Sequence, residues 1–269
     1  MLPSFVCEVT LGYMLAYRNC KCDEQLKFTI IICGSYNMGK PDIIYEDNDI
    51  IVCYKPAGIA TQTRRIGQQD MESFIRNYRA AKNEPPYVGI VHRLDQPVEG
   101  VMVFAKNQKA AASLSRQIKE HTTEKYYRAA SRGQGVSGTA VEEEEAWHTL
   151  TDYISFDKRT NTSKITSEKD KLAKKAVLQY RIILNECNKT EFDIKLLTGR
   201  HHQIRLQLAN IGYPLIGDTK YGKPASNNSG TGSKSGRTGG GVREQLALCS
   251  YKLVFDHPAT GERMTFELP

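Results

Sequence analysis

From Pro41 onward the apolar positions fall into short runs separated by polar turns. Ile43, Ile44 and Tyr45, and then Ile50 to Tyr54, flank Glu46-Asp47-Asn48-Asp49, a pattern that predicts the two strands of a hairpin. Lys55-Pro56-Ala57-Gly58 ends the second strand. Beyond Asp70 the period changes. Met71, Phe74, Ile75 and Tyr78 recur at i, i+3, i+4 and i+7, so a helix capped by Asp70 is expected, with Arg76, Arg79 and Lys82 facing outward. Val88 to Val91 and Val101 to Ala105 read as strands on either side of a charged loop, His92 to Gly100, whose Pro97 and Gly100 interrupt regular structure. Asn107 can cap a second helix with Ala111, Leu114 and Ile118 as its buried stripe, and Tyr126 and Tyr127 enter a further strand. Leu197 to Gly199 ends a strand; Ile204, Leu208 and Ile211 then describe a helix closed by Gly212. Leu246 to Phe255 and Met264 to Leu268 are the closing strands.

Strands and helices alternate without a steady βαβ rhythm. The expected class is therefore α+β, with a mixed, mainly antiparallel sheet flanked by helices and loops. Two segments fall outside the pattern. Residues 1 to 39 hold apolar runs, such as Phe28 to Cys33, but no lasting period, and read as an extension of uncertain order. Residues 223 to 243 hold six Gly, four Ser, two Arg and two Lys with no acidic residue, a composition that cannot bury a core and reads as a flexible cationic loop. The four glutamates 142 to 145 read as a solvated loop or helix start. The organisation expected is thus an N-terminal extension, 1 to 39, and one domain over 40 to 269.

The chain has 269 residues, 40% apolar and 25% charged, and no stretch approaches the ~20 consecutive apolar residues of a membrane helix. Its length excludes a mini-protein that depends on disulfide or metal staples. Net charge is 37 − 30 = +7. Most of it is local: residues 61 to 135 carry 13 basic and 7 acidic residues, net +6. A polyanionic partner fits this excess, and so does a solvated basic face. The seven cysteines have neither the even count of a disulfide framework nor a C-x-x-C pair, which points to reduced thiols in the cytoplasm. Cys20 and Cys22 form a lone C-x-C far from any histidine in sequence, so no metal site is expected.

Two clusters carry chemistry. Asp95 lies in a tight loop with His92 and Arg93, and a cation beside a carboxylate keeps it ionised, fit to act as nucleophile or base. The other reading of these residues is a turn cap with Arg93 as its salt-bridge partner. The second cluster is Thr198-Gly199-Arg200-His201-His202-Gln203-Ile204-Arg205. It places Arg205 in the first turns of a helix, where the helix dipole gives a cation nothing, so an anion elsewhere is implied. The paired histidines also admit a metal or base role.

Taken in order, Lys55-Pro56-Ala57-Gly58, His92-Arg93-Leu94-Asp95, Thr198 to Arg205 and Gly217-Asp218-Thr219-Lys220-Tyr221-Gly222 resemble the motifs of the RluA family of RNA pseudouridine synthases over roughly residues 41 to 269. The resemblance implies a pseudouridine synthase fold with an RNA-binding cleft, and conversion of uridines in ribosomal or transfer RNA to pseudouridine. It implies Asp95 as the catalytic aspartate, Arg205 as the arginine paired with it, and Tyr127 as the active-site tyrosine, with Tyr126 the alternative one residue away. Arg93 matches the arginine that helps extrude the target nucleotide. His92, Arg200, His202, Gln203 and Lys55 are the further residues expected to bind RNA. No metal and no cofactor are implied, because the isomerisation changes neither redox state nor water content. Many family members carry an N-terminal S4 domain; residues 1 to 39 are too short for one, which leaves substrate choice to the catalytic domain and its loops. A monomer is expected. The competing readings are a non-catalytic RNA-binding protein that keeps the fold and a metal-dependent hydrolase built on His201 and His202.

Overall fold

The computed structural model describes residues 14–17, 27–33, 39–65, 67–132, 146–186, 188–222 and 244–269. Most of the extension, the glutamates 142 to 145, the Gly/Ser-rich segment 223 to 243, and Cys7, Cys20, Cys22 and Cys187 lie outside these residues. The chain divides into two compact units. The first comprises residues 1–128, 193–198 and 248–269, and the second comprises 129–192 and 199–247.

In the first unit the expected hairpin is formed by β3 (Asp42–Glu46) and β4 (Ile50–Lys55). Two strands precede it, β1 (Met14–Tyr17) and β2 (Lys27–Cys33), so the apolar run at Phe28 is indeed extended. Then come α1 (Met71–Ala81), β5 (Gly89–Ile90), β6 (Glu99–Ala105), α2 (Gln108–Lys119) and β7 (Glu124–Ser131). In the second unit lie β8 (His148–Asp157), β9 (Thr162–Thr166), β10 (Lys174–Glu186) and α3 (Gln203–Asn210). β11 (Lys189–Leu196), like β7, contributes residues to both units. The first unit closes with β12 (Leu248–Asp256) and β13 (Arg263–Glu267).

Within the first unit, β4 and β5 pair antiparallel with β6, while β6 runs parallel to β12 through Cys249 opposite Glu99 and Ser250 opposite Gly100. β12 and β13 are antiparallel, and β13 is parallel to β2. In the second unit β8 pairs antiparallel with β9 and with β10. The sheet is mixed and mainly antiparallel, as the sequence pattern implies. Ile50, Val52, Tyr54, Val101, Val103 and Ala105 pack against Ala110 and Leu114 of α2 and against Leu253, Phe255 and Phe266, the core of the first unit. That burial is what fixes the strands on which the charged loop is mounted.

Asp70 caps α1 as expected, accepting from the Ser73 amide while the Ser73 hydroxyl and the Asp70 backbone complete a capping box. Two details differ from the sequence pattern. Arg79 does not face outward: it is 4% exposed, and its guanidinium donates to the carbonyls of Tyr87 and Lys106 and to the Glu84 carboxylate. A periodicity count treats every arginine as polar surface, but a guanidinium whose Nε and Nη1 donors meet oxygen, as here, can be buried. In α2 the fully buried positions are Ala110, Leu114 and Gln117, with Ala111 and Ile118 at the margin. Gln117 is drawn in because its amide group both donates to and accepts from the backbone of Asp256.

Candidate active site

The loop that carries Asp95 is held on the first unit at four points. Its first residue, His92, accepts the Val103 amide of β6 on Nε2 at 3.1 Å. Burial, and then the nearby ammonium of Lys125, push the His92 pKa down to about 3, so the ring is neutral and its one proton sits on Nδ1. The Thr61 hydroxyl accepts the Leu94 amide and donates to the Leu94 carbonyl, pinning the residue before Asp95 in both directions. Within the loop itself, the Val98 amide closes a turn on the Asp95 carbonyl at 3.0 Å. Gln96 is joined to Gly58 by its carbonyl and by its side-chain amide.

Lys55 supplies the fourth point. It is 0% exposed, and its ammonium donates to the carbonyls of Pro56, Ile59 and Gln96. Burial pulls its pKa down to about 8, against the opposing attraction of Asp95 and Glu99. The expectation that Lys55 contacts RNA is therefore corrected: it clamps the Lys55-Pro56-Ala57-Gly58 turn to the Asp95 loop from beneath. Two of the four motifs thus form one structure. Gly100, with φ of 134°, completes it, since a Cβ there would overlap the Ser250 carbonyl on the parallel neighbour strand. Arg93 is exposed and makes no hydrogen bond or ion pair among the described residues, which leaves it available to a ligand and removes it as the salt-bridge partner of Asp95.

Strand alternation settles the tyrosine. On β7, Tyr126 and Arg128 share one face; Tyr126 donates to Glu124 and lies beneath the ammoniums of Lys195 and Lys252, while Arg128 stacks on Tyr251. Tyr127 takes the other face. It is 6% exposed, hydrogen-bonds Ser250, and has its pKa raised by burial and by the negative charge of Asp95. Tyr127, not Tyr126, is the tyrosine beside Asp95.

In the second unit the turn before α3 is built around Arg205, which is 4% exposed and binds Asp218 with Nε and Nη2 both at 2.7 Å. The Lys220 and Tyr221 amides also donate to Asp218, so its carboxylate stays below the usual range: burial opposes this, and the Arg205 hydrogen bonds lead the groups that outweigh it. The Gly217 to Gly222 motif, which the sequence offers without a role, is thereby explained as the seat of Arg205. Tyr221 lies against Arg205 at 5.3 Å and hydrogen-bonds His202 Nδ1. His202, at φ 54°, takes a left-handed conformation rare outside glycine, and burial and the Arg205 charge push its pKa down to about 3. Gln203 accepts the Arg200 amide, and Arg200 donates to the Lys175 carbonyl. His202 and Gln203, at 8% and 3% exposure, brace this turn. They offer little surface to RNA; Arg200 offers more.

The rings of His201 and His202 lie 3.7 Å apart, tilted by 32°, and their Nδ1 atoms meet the hydroxyls of Ser163 and Tyr221. Among the described residues, the group whose ligand atoms converge is Asp47, Asp49 and His257. There the Asp47 carboxylate is already occupied by the amides of Asp49 and Ile50, the Tyr45 hydroxyl and His257 Nε2, which is the closure of the hairpin turn.

The model of the RNA pseudouridylate synthase family matches residues 49–210, which include the Asp95 loop, β7 and the Arg205 turn. The chain belongs to that family. It is 32% identical over 231 residues, 85% of its length, to the ribosomal large subunit pseudouridine synthase D of Vibrio parahaemolyticus, and 33% identical over 233 residues to that of Pseudomonas aeruginosa. It is 31% identical over 234 residues, 86% of its length, to an uncharacterized RNA pseudouridine synthase of Bacillus subtilis. The chain spans about two thirds of the length of these relatives, 66%, 68% and 69% respectively. Among solved structures, human RNA pseudouridylate synthase domain containing 1 has the same fold, with a TM-score of 0.60 at 24% identity over 88% of this chain and 86% of that one. Human RNA pseudouridylate synthase domain containing 4 scores 0.59 at 18% identity, over 84% and 87%. The family and the α+β fold expected from the motifs are thus those of the chain. No helix among the described residues is long and apolar enough to cross a membrane.

Of the expected site residues, Asp95, Arg93, His92, Lys55 and Tyr127 fall together on the first unit, and Arg205, Arg200, His202 and Gln203 on the second. Sequence reasoning passed over Thr61, Lys125, Asp218 and Tyr221. Asp218 and Tyr221 were visible as a motif without an assigned partner. Thr61 gave no signal, because a single threonine acquires a role only when a distant loop folds onto it.

Proposed function

We propose that the chain converts uridine in RNA to pseudouridine, with Asp95 as the catalytic residue and ribosomal or transfer RNA as the substrate class. The curated relatives named as acting on the ribosomal large subunit favour ribosomal RNA. The observation that carries the reading is Tyr127 beside Asp95 in the first unit, with Asp95 on a loop immobilised by Lys55, Thr61 and His92. The reaction breaks the bond from C1′ to N1, turns the uracil, joins C1′ to C5, and moves a proton from C5 to the medium as N1 gains one. Asp95 would either add to the sugar or base or take a sugar proton, and in each case it must be ionised and held in place. Tyr127 supplies a flat, protonated phenol against which the detached uracil can turn, since its pKa is held above the usual value.

Arg93, exposed on the same loop, is the group placed to enter the stack from which the uridine leaves, because base extrusion needs a wedge and a cation for the phosphates. Within the second unit, Arg205 is fixed by Asp218. No step calls on a metal or a cofactor, and the protein would act in the cytoplasm as a monomer over a catalytic region of residues 40 to 269.

Asp95→Asn tests this reading. The variant should melt like the wild type and bind RNA as well, yet form no pseudouridine when total RNA from cells lacking the protein is treated and mapped by carbodiimide-dependent primer-extension stops. Pseudouridine formed by Asp95→Asn would sink the reading, and a wild-type protein that binds RNA but leaves every uridine unchanged would favour a non-catalytic RNA-binding role.

A further inference from the structure

Lys125 stands on β7 two residues before Tyr127, so the alternation of the strand puts both side chains on the face that carries Asp95. It is half-buried and lies close enough to His92 to repel a proton from the imidazole. Every other buried or half-buried cation around this region has oxygen partners: Lys55 has three carbonyls, Arg79 two carbonyls and a carboxylate, and Lys106 the carboxylates of Glu46 and Glu84. Lys125 has no hydrogen bond and no ion pair among the described residues. The adjacent carboxylate, Glu124, faces the opposite side of the strand and is taken by Lys195 and Arg263. Burial alone lowers the Lys125 pKa, with no opposing charge to raise it.

A desolvated cation without a counter-ion is unfavourable in the free protein, and an anion brought by a ligand removes that penalty. A neutral uracil carbonyl offsets only part of it. RNA brings one anion per nucleotide. We propose that Lys125 receives a phosphate oxygen of the RNA strand at the extruded nucleotide and so is a substrate-binding residue of this site. The assignment rests on the reading of the chain as a pseudouridine-forming enzyme, and it makes Lys125 and Arg93 two separate holds on the strand.

The experiment compares wild type, Lys125→Met and Lys125→Arg on a ribosomal RNA transcript carrying a uridine that the wild type modifies. Lys125→Met should raise KM about tenfold, the loss of one charged hydrogen bond, while kcat stays within about twofold. It should also reduce the slope of log affinity against log salt by about 0.7, one phosphate contact to a single strand. Lys125→Arg should restore most of both. The melting temperature of Lys125→Met should not fall, since no internal ion pair is lost. An unchanged KM and salt slope would overturn the assignment, as would a fall in kcat at unchanged slope or a melting temperature lowered in the absence of RNA. A wild type that modifies no uridine of any transcript fails the underlying reading instead, which keeps the two failures apart.

Discussion

In the first unit a lysine with no exposed surface grips three main-chain carbonyls, a threonine hydroxyl pins the residue next to Asp95 from both sides, and a neutral histidine accepts an amide. In the second unit Arg205 is held by a two-pronged bond to the buried carboxylate of Asp218, under a tyrosine ring and beside a left-handed histidine. The first region fixes the backbone on either side of Asp95. The second fixes a side chain directly, by charge. A loop held through its carbonyls tolerates changes in the side chains it displays, whereas a buried ion pair tolerates the loss of neither member.

The strongest test of that contrast is Arg205→Met. It strands the Asp218 carboxylate at 0% side-chain exposure with only amide donors, and breaking such a pair costs about 3–5 kcal/mol. Urea unfolding should show a loss in that range, and the double variant Arg205→Met with Asp218→Asn should recover part of it. A loss below about 1 kcal/mol would place the pair with exposed salt bridges and dissolve the contrast.

Lys55→Met is the matching test on the first unit. Methionine fills the volume of the lysine stem but leaves the carbonyls of Pro56, Ile59 and Gln96 without their donor, at a cost of about 2–3 kcal/mol. Because Gln96 adjoins Asp95, the slack should reach the reaction, lowering kcat about tenfold with KM little changed. A KM effect without a kcat effect would return Lys55 to the surface role that its motif first suggested.

Much of this was legible beforehand, for physical reasons. The hairpin, the Asp70 and Asn107 caps and the Gly212 stop depend on neighbours within four residues, and such signals survive in one sequence. Asp95 and Tyr127 could be named because their motifs are local. What escaped were the long-range partnerships. Lys55 looked like a surface cation because nothing near it in sequence says that Gln96, 41 residues away, will supply one of its acceptors. Arg79 was misread for the same reason, and so was the carboxylate that holds Arg205, found 13 residues on in a motif whose own purpose was open.

The smallest expected effect concerns the two neutral histidines, one in each region. Burial, first in both cases, and then Lys125 for His92 and Arg205 for His202, bring both rings to a pKa of about 3, against 6.5 as the ordinary value. Below pH 6.5 the unfolded chain therefore binds protons that the folded one does not, so stability contributed by each neutral ring is whole above pH 6.5 and is lost as pH falls toward 3. Between pH 7 and pH 5 each ring should account for about 2 kcal/mol. His202→Asn keeps a residue that accepts the left-handed φ of 54°, and urea unfolding at the two pH values should show that share of the acid loss removed. If wild type and variant lose stability in parallel, the ring is not neutral and the second region is not closed to protons. Lys125→Met then separates the regions: it should shrink the acid-sensitive share owed to His92, whose repelling charge it removes, and leave the share owed to His202 as it was.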